Sequence, residues 1–134
     1  KCDNRLSNNP YIKNEAALDY LFMNGQDVFK FAVRKVPESI LEVLDKAGLA
    51  PEDIDYFVLH QANVRILEAV AKRLKADITK FPMNLNRVGN MSSATIPVLL
   101  DELNREGKLK KGDKIVLSGF GAGLTYGACV MIWN

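Results

Sequence analysis

Apolar positions along the 134-residue chain change their spacing several times, and each change marks an element. Residues 1 to 16 are polar, with Asn8-Asn9-Pro10 as a loop signal, and read as a tail or a connecting segment. From Ala17 to Met23 a mostly apolar run predicts a strand closed by the turn Asn24-Gly25. Phe29, Ala32, Val33 and Val36 then fall at i, i+3, i+4 and i+7, the stripe of a helix that starts near Gln26. Pro37 is expected to kink or divide this helix, because it has no N–H and its ring crowds the preceding turn. A second helical stretch buries Ile40, Leu41, Val43 and Leu44 and stops near Gly48, a residue that readily takes the left-handed conformation of a helix end.

Pro51-Glu52-Asp53 opens a turn, and Ile54 to Leu59 reads as a strand. A helix is predicted from about Asn63 to Lys75, with Leu67, Val70, Ala71 and Leu74 on one face. Another spans Ser93 to Arg105, with Pro97 near its start and Gly107 as its stop. Lys114 to Ser118 and Ala128 to Trp133 read as strands, joined by a loop holding Gly119, Gly121, Gly123 and Gly127. Strands alternating with helices predict an α/β layered fold with a partly parallel sheet, built as one domain over residues 17–134. Too few residues separate the final two strands for a helix, so they should be antiparallel neighbours.

Composition narrows the function classes. The net charge of +2 gives no strong bias toward nucleic acid, and no apolar run is long enough to span a bilayer. The start, Lys1-Cys2-Asp3-Asn4-Arg5, has neither a methionine nor the apolar core of a signal peptide, and it reads as a cut point in a longer chain. Cys2 and Cys129 stand at opposite ends with no CxxC spacing. That argues against a disulfide framework or a zinc site and makes a reducing cytoplasm the default compartment. Cys129, inside an apolar strand, is expected to be a small buried hydrophobe, and Cys2 has no base near it in sequence. The chain therefore shows no activated nucleophile.

It does show two candidate donors. Its single histidine, His60, stands where the strand Tyr56-Phe57-Val58-Leu59 gives way to a polar turn. Asn90 lies on a second, glycine-linked loop, Arg87-Val88-Gly89-Asn90-Met91-Ser92. Two directed donors in a dry pocket can hold a developing oxyanion, each contributing roughly 2.7–4 kcal/mol to the transition state. Taken by spacing alone, a structural histidine at a strand end and a plain Gly-Asn turn remain open readings. The glycines from Gly119 to Gly123 permit close backbone approach to a ligand, but without the Lys-Ser/Thr signature they form no P-loop.

Three segments in order, Leu59-His60-Gln61-Ala62-Asn63-Val64-Arg65, Asn86-Arg87-Val88-Gly89-Asn90-Met91-Ser92-Ser93-Ala94 and Ser118-Gly119-Phe120-Gly121-Ala122-Gly123-Leu124-Thr125-Tyr126-Gly127, resemble the C-terminal half of a β-ketoacyl-acyl-carrier-protein synthase III. The resemblance runs from about residue 17 to the end, and Met23 to Phe29 shares it. It implies a thiolase-like half with a layered five-stranded mixed sheet and helices. It implies condensation of an acyl-CoA starter with malonyl-acyl carrier protein, releasing carbon dioxide and CoA, with no cofactor besides these substrates. Of the family's Cys–His–Asn triad, His60 and Asn90 match two members, and the cysteine belongs to the N-terminal half. The resemblance further implies an oxyanion loop of Phe120, Gly121 and Ala122, in which many relatives carry glycine at the position of Ala122. It implies a CoA and pantetheine tunnel touching Met23, Gly25, Phe29, Ala62, Asn63 and Ile66, carrier docking at Arg65, and a homodimer of the full-length enzyme. The pairing of His with Asn, instead of two histidines, separates the chain from elongating synthases. Two alternatives stand beside this reading: a related condensing enzyme of polyketide or quinolone synthesis, and a non-catalytic half-fold binding module.

Overall fold

The computed structural model describes residues 2–3, 18–19 and 23–134. The elements are β1 (Cys2–Asp3), β2 (Leu18–Asp19), α1 (Gly25–Ala47), β3 (Tyr56–Leu59), α2 (Val64–Leu74), α3 (Leu85–Val88), α4 (Thr95–Arg105), β4 (Lys114–Gly121) and β5 (Thr125–Ile132). β1 and β2 pair antiparallel with each other. The remainder of the tail expected over residues 1–16, and residues 17 and 20–22 of the expected strand, lie outside the described residues.

The principal sheet has the order β3-β4-β5, with β3 parallel and β5 antiparallel to β4. The last two strands are thus the antiparallel neighbours expected. The mixed α/β layering also appears, but the sheet has three strands among the described residues, where five were expected. β1 and β2 form a separate ladder, and every segment between β3 and β4 is spent on helices and turns.

Alternation along the strands divides the core into two layers. Phe57, Leu59 and Val116 face α1 and α2, where Ala32, Val36, Ile40 and Leu44 meet Leu67, Val70, Ala71 and Leu74. Phe81 stacks on Phe57 with ring centroids 4.6 Å apart and closes the far end of this layer. On the other face, Val58 and Ile115 pack against Leu99 and Leu103 of α4 and against Leu109. β3, covered on both faces, is apolar without a break for that reason.

Helix α1 differs from expectation in its middle. Pro37 neither divides it nor ends it: the helix runs 23 residues with Pro37 buried inside. A proline at 37 cannot donate to the carbonyl of Val33, four residues back. Arg73, in the last turn of α2, donates an Nη1 proton to that same oxygen at 3.4 Å. The orphan acceptor is met by a neighbouring helix, which lets the helix continue. Gly48 caps α1 with φ of 65°, as its position predicts. Leu41 is exposed, not buried, because it lies one step around the helix from the stripe of Val36, Ile40 and Leu44.

Three smaller corrections bear on the site. α4 begins at Thr95, since Ser92–Ala94 form a 3-10 turn, and Pro97 falls in its first turn, where no N–H is needed. β4 and β5 extend through most of the glycine-rich stretch, with Gly119 paired to Gly127, so the loop between them is only residues 122–124. Cys129 is exposed instead of buried: it pairs with Leu117 and lies on β5, which among the described residues is an edge strand of the sheet.

The Arg73–Val33 contact gives a prediction. Arg73→Ala should destabilise the domain by about 1 kcal/mol, the typical worth of such a hydrogen bond. In a Pro37→Ala background the same change should cost much less, because residue 37 then supplies its own N–H to Val33. Urea unfolding of the two single variants and the double variant measures that coupling.

Candidate active site

Each residue of Leu59-His60-Gln61-Ala62-Asn63 has a separate structural task. The backbone N–H of His60 donates to Ser118 O at 2.9 Å and so extends the parallel ladder one residue beyond β3. Gln61 is fully buried, and its Nε2 donates to Leu59 O at 2.9 Å and to Pro82 O at 3.5 Å. The chain is thereby clamped as it leaves the sheet. Ala62 N–H returns to His60 O at 3.0 Å, and Asn63 caps α2 by accepting from the N–H of Arg65 at 2.9 Å. His60 is therefore held between a strand end and a helix start, with four residues, 60–63, separating them.

Its ring is half-buried. Nδ1 lies 2.7 Å from Thr95 Oγ1, and the Phe120 ring stands edge-on with centroids 5.2 Å apart at 74°. Burial pushes the imidazole pKa below the ordinary 6.5, so the ring is neutral at neutral pH.

Asn90 follows the short helix α3, which ends at Gly89 with φ of 69°, a conformation open to glycine. The Asn90 Oδ1 accepts from Ser92 N–H at 2.9 Å. This spends the acceptor end of the amide and leaves both donors on Nδ2. Ser92 has φ of 55°, a left-handed conformation that costs a non-glycine residue of order 1–3 kcal/mol and concentrates at functional sites. Behind this loop, Asn84 Nδ2 and Arg87 Nη2 both donate to Glu102 Oε2, at 2.9 and 2.8 Å, and fasten α3 to α4. Asn84 is fully buried.

The third component is the β4–β5 hairpin. Parallel pairing puts the carboxyl ends of β3 and β4 at one end of the sheet, so His60 and the residues of the hairpin share that end. The positive φ of the turn falls on Gly123, where a Cβ would stand 2.7 Å from Thr125 Cγ2. Ala122 has no positive φ. An alanine there, in place of a relative's glycine, is accommodated without backbone strain.

These segments enclose an open cleft of about 1330 Å³. Its lining includes His60, Asn90, Phe120, Gly121 and Ala122. Met23, Gly25 and Phe29, at or near the start of α1, and Ala62, Asn63 and Ile66, at or near the start of α2, also line it. Arg65 does not line the cleft. It is exposed at the rim, with its guanidinium 5.7 Å from the centroid of the Phe29 ring. Thr95 also lines the cleft and touches His60, and it escaped notice in the sequence because a threonine opening a helix is ordinary there. Cys129 is not among the lining residues.

His60 and Asn90 thus line one cleft together with the β4–β5 turn. The family model for the C-terminal part of 3-oxoacyl-[acyl-carrier-protein] synthase III matches residues 44–133. A β-ketoacyl-[acyl-carrier-protein] synthase III of Clostridium novyi is 53% identical over 100% of the chain and 42% of its own length. Another, of Clostridioides difficile, is 58% identical over 90% of the chain and 37% of its own length. The crystal structure of the synthase III of Thermus thermophilus superposes with a TM-score of 0.84 at 46% identity, over 90% of this chain and 37% of that one. The chain belongs to the β-ketoacyl-[acyl-carrier-protein] synthase III family, as its C-terminal domain. It spans about two fifths of the length of these curated relatives.

The single histidine makes its titration directly observable. A ring held neutral by burial should titrate below 6.5 in the folded chain and move back to the ordinary value on unfolding, as followed by proton NMR of the imidazole. The stability linked to this depressed pKa is complete above the unfolded value and is lost as pH falls through the folded one, because the unfolded chain then binds the proton more readily.

Proposed function

We propose that this domain supplies the decarboxylating half of a ketoacyl synthase III. In the whole enzyme an acyl-CoA starter is joined to malonyl-acyl carrier protein, and 3-oxoacyl-acyl carrier protein, carbon dioxide and CoA are released. The observation that carries the reading is that a neutral His60, and an Asn90 whose acceptor end is already tied to Ser92 N–H, both line one cleft. When the malonyl carboxylate leaves as carbon dioxide, the electron pair moves onto the thioester oxygen. His60 and Asn90 Nδ2 donate to that oxygen as its charge develops. A cysteine from an N-terminal half holds the starter acyl group as a thioester; the carbanion attacks its carbonyl carbon, the new C–C bond forms, and the C–S bond breaks as the cysteine thiolate leaves. Ala122 N–H, in the turn beside Phe120 and Gly121, forms an oxyanion hole with the N–H of that cysteine.

The residues at the starts of α1 and α2, Met23, Gly25, Phe29, Ala62, Asn63 and Ile66, form the pantetheine side of the entrance. Arg65 at the rim meets acidic groups of the carrier or the phosphates of CoA. The full-length enzyme works as a homodimer in the cytoplasm.

His60→Ala and Asn90→Ala, made in the enzyme with its N-terminal half, should each lower malonyl decarboxylation by about 10²–10³ while leaving starter acylation of the cysteine nearly intact. Radiolabelled carbon dioxide release and acyl-enzyme mass spectrometry separate the two steps. Unchanged decarboxylation in both variants would remove the donor reading. The chain without its N-terminal half should give no condensation product, and a product that survives Cys2→Ala with Cys129→Ala would contradict the shared site.

Arg65→Glu replaces attraction by repulsion at the rim. Malonyl-carrier turnover should fall mainly through KM, whereas a small malonyl thioester lacking the carrier should be decarboxylated at close to the normal rate. Equal losses with both substrates would make Arg65 a structural residue only.

A further inference from the structure

The donor role of His60 raises a question of proton position. A neutral imidazole holds one N–H, and which nitrogen carries it is set by the partner of the other. Nδ1 has a single polar side-chain neighbour among the described residues, Thr95 Oγ1 at 2.7 Å. Thr95 is itself buried, as the first residue of α4. Its hydroxyl also lies 2.9 Å from Ser92 O, within the loop that carries Asn90. The hydroxyl has one proton and two acceptors in reach. If that proton goes to Ser92 O, Nδ1 must carry the ring proton, and Nε2 presents a lone pair. If it goes to Nδ1, the ring proton is on Nε2. Ser92 O loses little in the second arrangement, because it already accepts the backbone N–H of Thr95. The Nδ1 contact is also the shorter of the two.

We propose that Thr95 is a positioning residue that sets the tautomer of His60: its hydroxyl donates to Nδ1 and thereby holds the ring proton on Nε2, the nitrogen left for a ligand. The inference rests on the donor reading of His60 and gives it a cause. Thr95 also adjoins the loop of Asn90, since its backbone N–H donates to Ser92 O while Ser92 N–H holds Asn90 Oδ1.

The test uses the single imidazole of the chain. In ¹⁵N-histidine-labelled protein above the His60 titration, the ring shifts should show the Nε2–H tautomer. Thr95→Val, close in volume but without a hydroxyl, should shift the ring toward Nδ1–H or a mixture, with the amide spectrum otherwise retained. Thr95→Ser should restore the wild-type pattern. In the enzyme with its N-terminal half, Thr95→Val should lower decarboxylation about tenfold, short of the loss from removing the donor itself, and Thr95→Ser should recover it. An Nδ1–H tautomer in the wild type would overturn the proposal, as would a valine variant with both tautomer and decarboxylation unchanged. Should Thr95→Val unfold, the wild-type and Thr95→Ser tautomers still decide. If His60→Ala leaves decarboxylation intact while Thr95→Val still moves the tautomer, the donor reading fails and Thr95's control of the ring stands.

Discussion

The parallel pairing of β3 with β4 is the constraint on which the site depends. It sends both strands out of the sheet at the same end, and the bond from His60 N–H to Ser118 O carries the ladder one residue further. The histidine is therefore placed by backbone hydrogen bonding, before any contact of its side chain. Gln61, with its Nε2 on Leu59 O and Pro82 O, then turns the chain within a single buried residue. A one-residue slip of β3 against β4 would exchange the faces of Phe57 and Val58 and bury the wrong side chains on both sides of the sheet. The two hydrophobic layers thus guard the register, and the register fixes the site.

Asn90 is reached by a different route. Asn90 is not on a strand; it is on a loop whose geometry is held by polar contacts. Glu102 receives Asn84 and Arg87 and anchors α3, Gly89 turns the chain with a positive φ, and the Asn90 side chain holds Ser92 in a left-handed conformation. A loop of this kind can be strained because the helix behind it is not. This also explains why the loop's fold was not legible from hydrophobic spacing: α3 is four residues long, too short to show a helical period.

Elsewhere legibility followed burial. The stripe of α2 and both of its ends could be read from apolar period and from Asn63. So could the Gly48 stop of α1 and the antiparallel closing strands. The residues of the cleft were legible because three segments matched a family pattern; their spacing in sequence carries no sign that they meet. Pro37 misled because its local rule is sound and its remedy is distant: Arg73 lies 40 residues beyond Val33. Cys129 misled because strand composition reveals an apolar environment but not which edge of the sheet is left uncovered. Thr95 was invisible because its partner is 35 residues away and both residue types are unremarkable in their own elements.

The environment of His60 also bears on what kind of donor it would be in the proposed decarboxylation. A charged imidazolium would attract an enolate more strongly than a neutral ring. It would equally attract the malonyl carboxylate in the ground state, and an interaction made equally in both states does not accelerate the chemical step. Burial disfavours the cation, and the edge-on Phe120 ring occupies space that water would otherwise use to solvate it. A neutral ring and a neutral amide present dipoles, not charges, to the cleft. Their hydrogen bonds strengthen as charge accumulates on the acceptor, which for a thioester oxygen occurs only as the carboxylate departs. In the proposed reaction the apolar wall and the tied amide would therefore serve the same end: they would keep the site's polarity in two N–H groups whose attraction is greatest when the enolate forms.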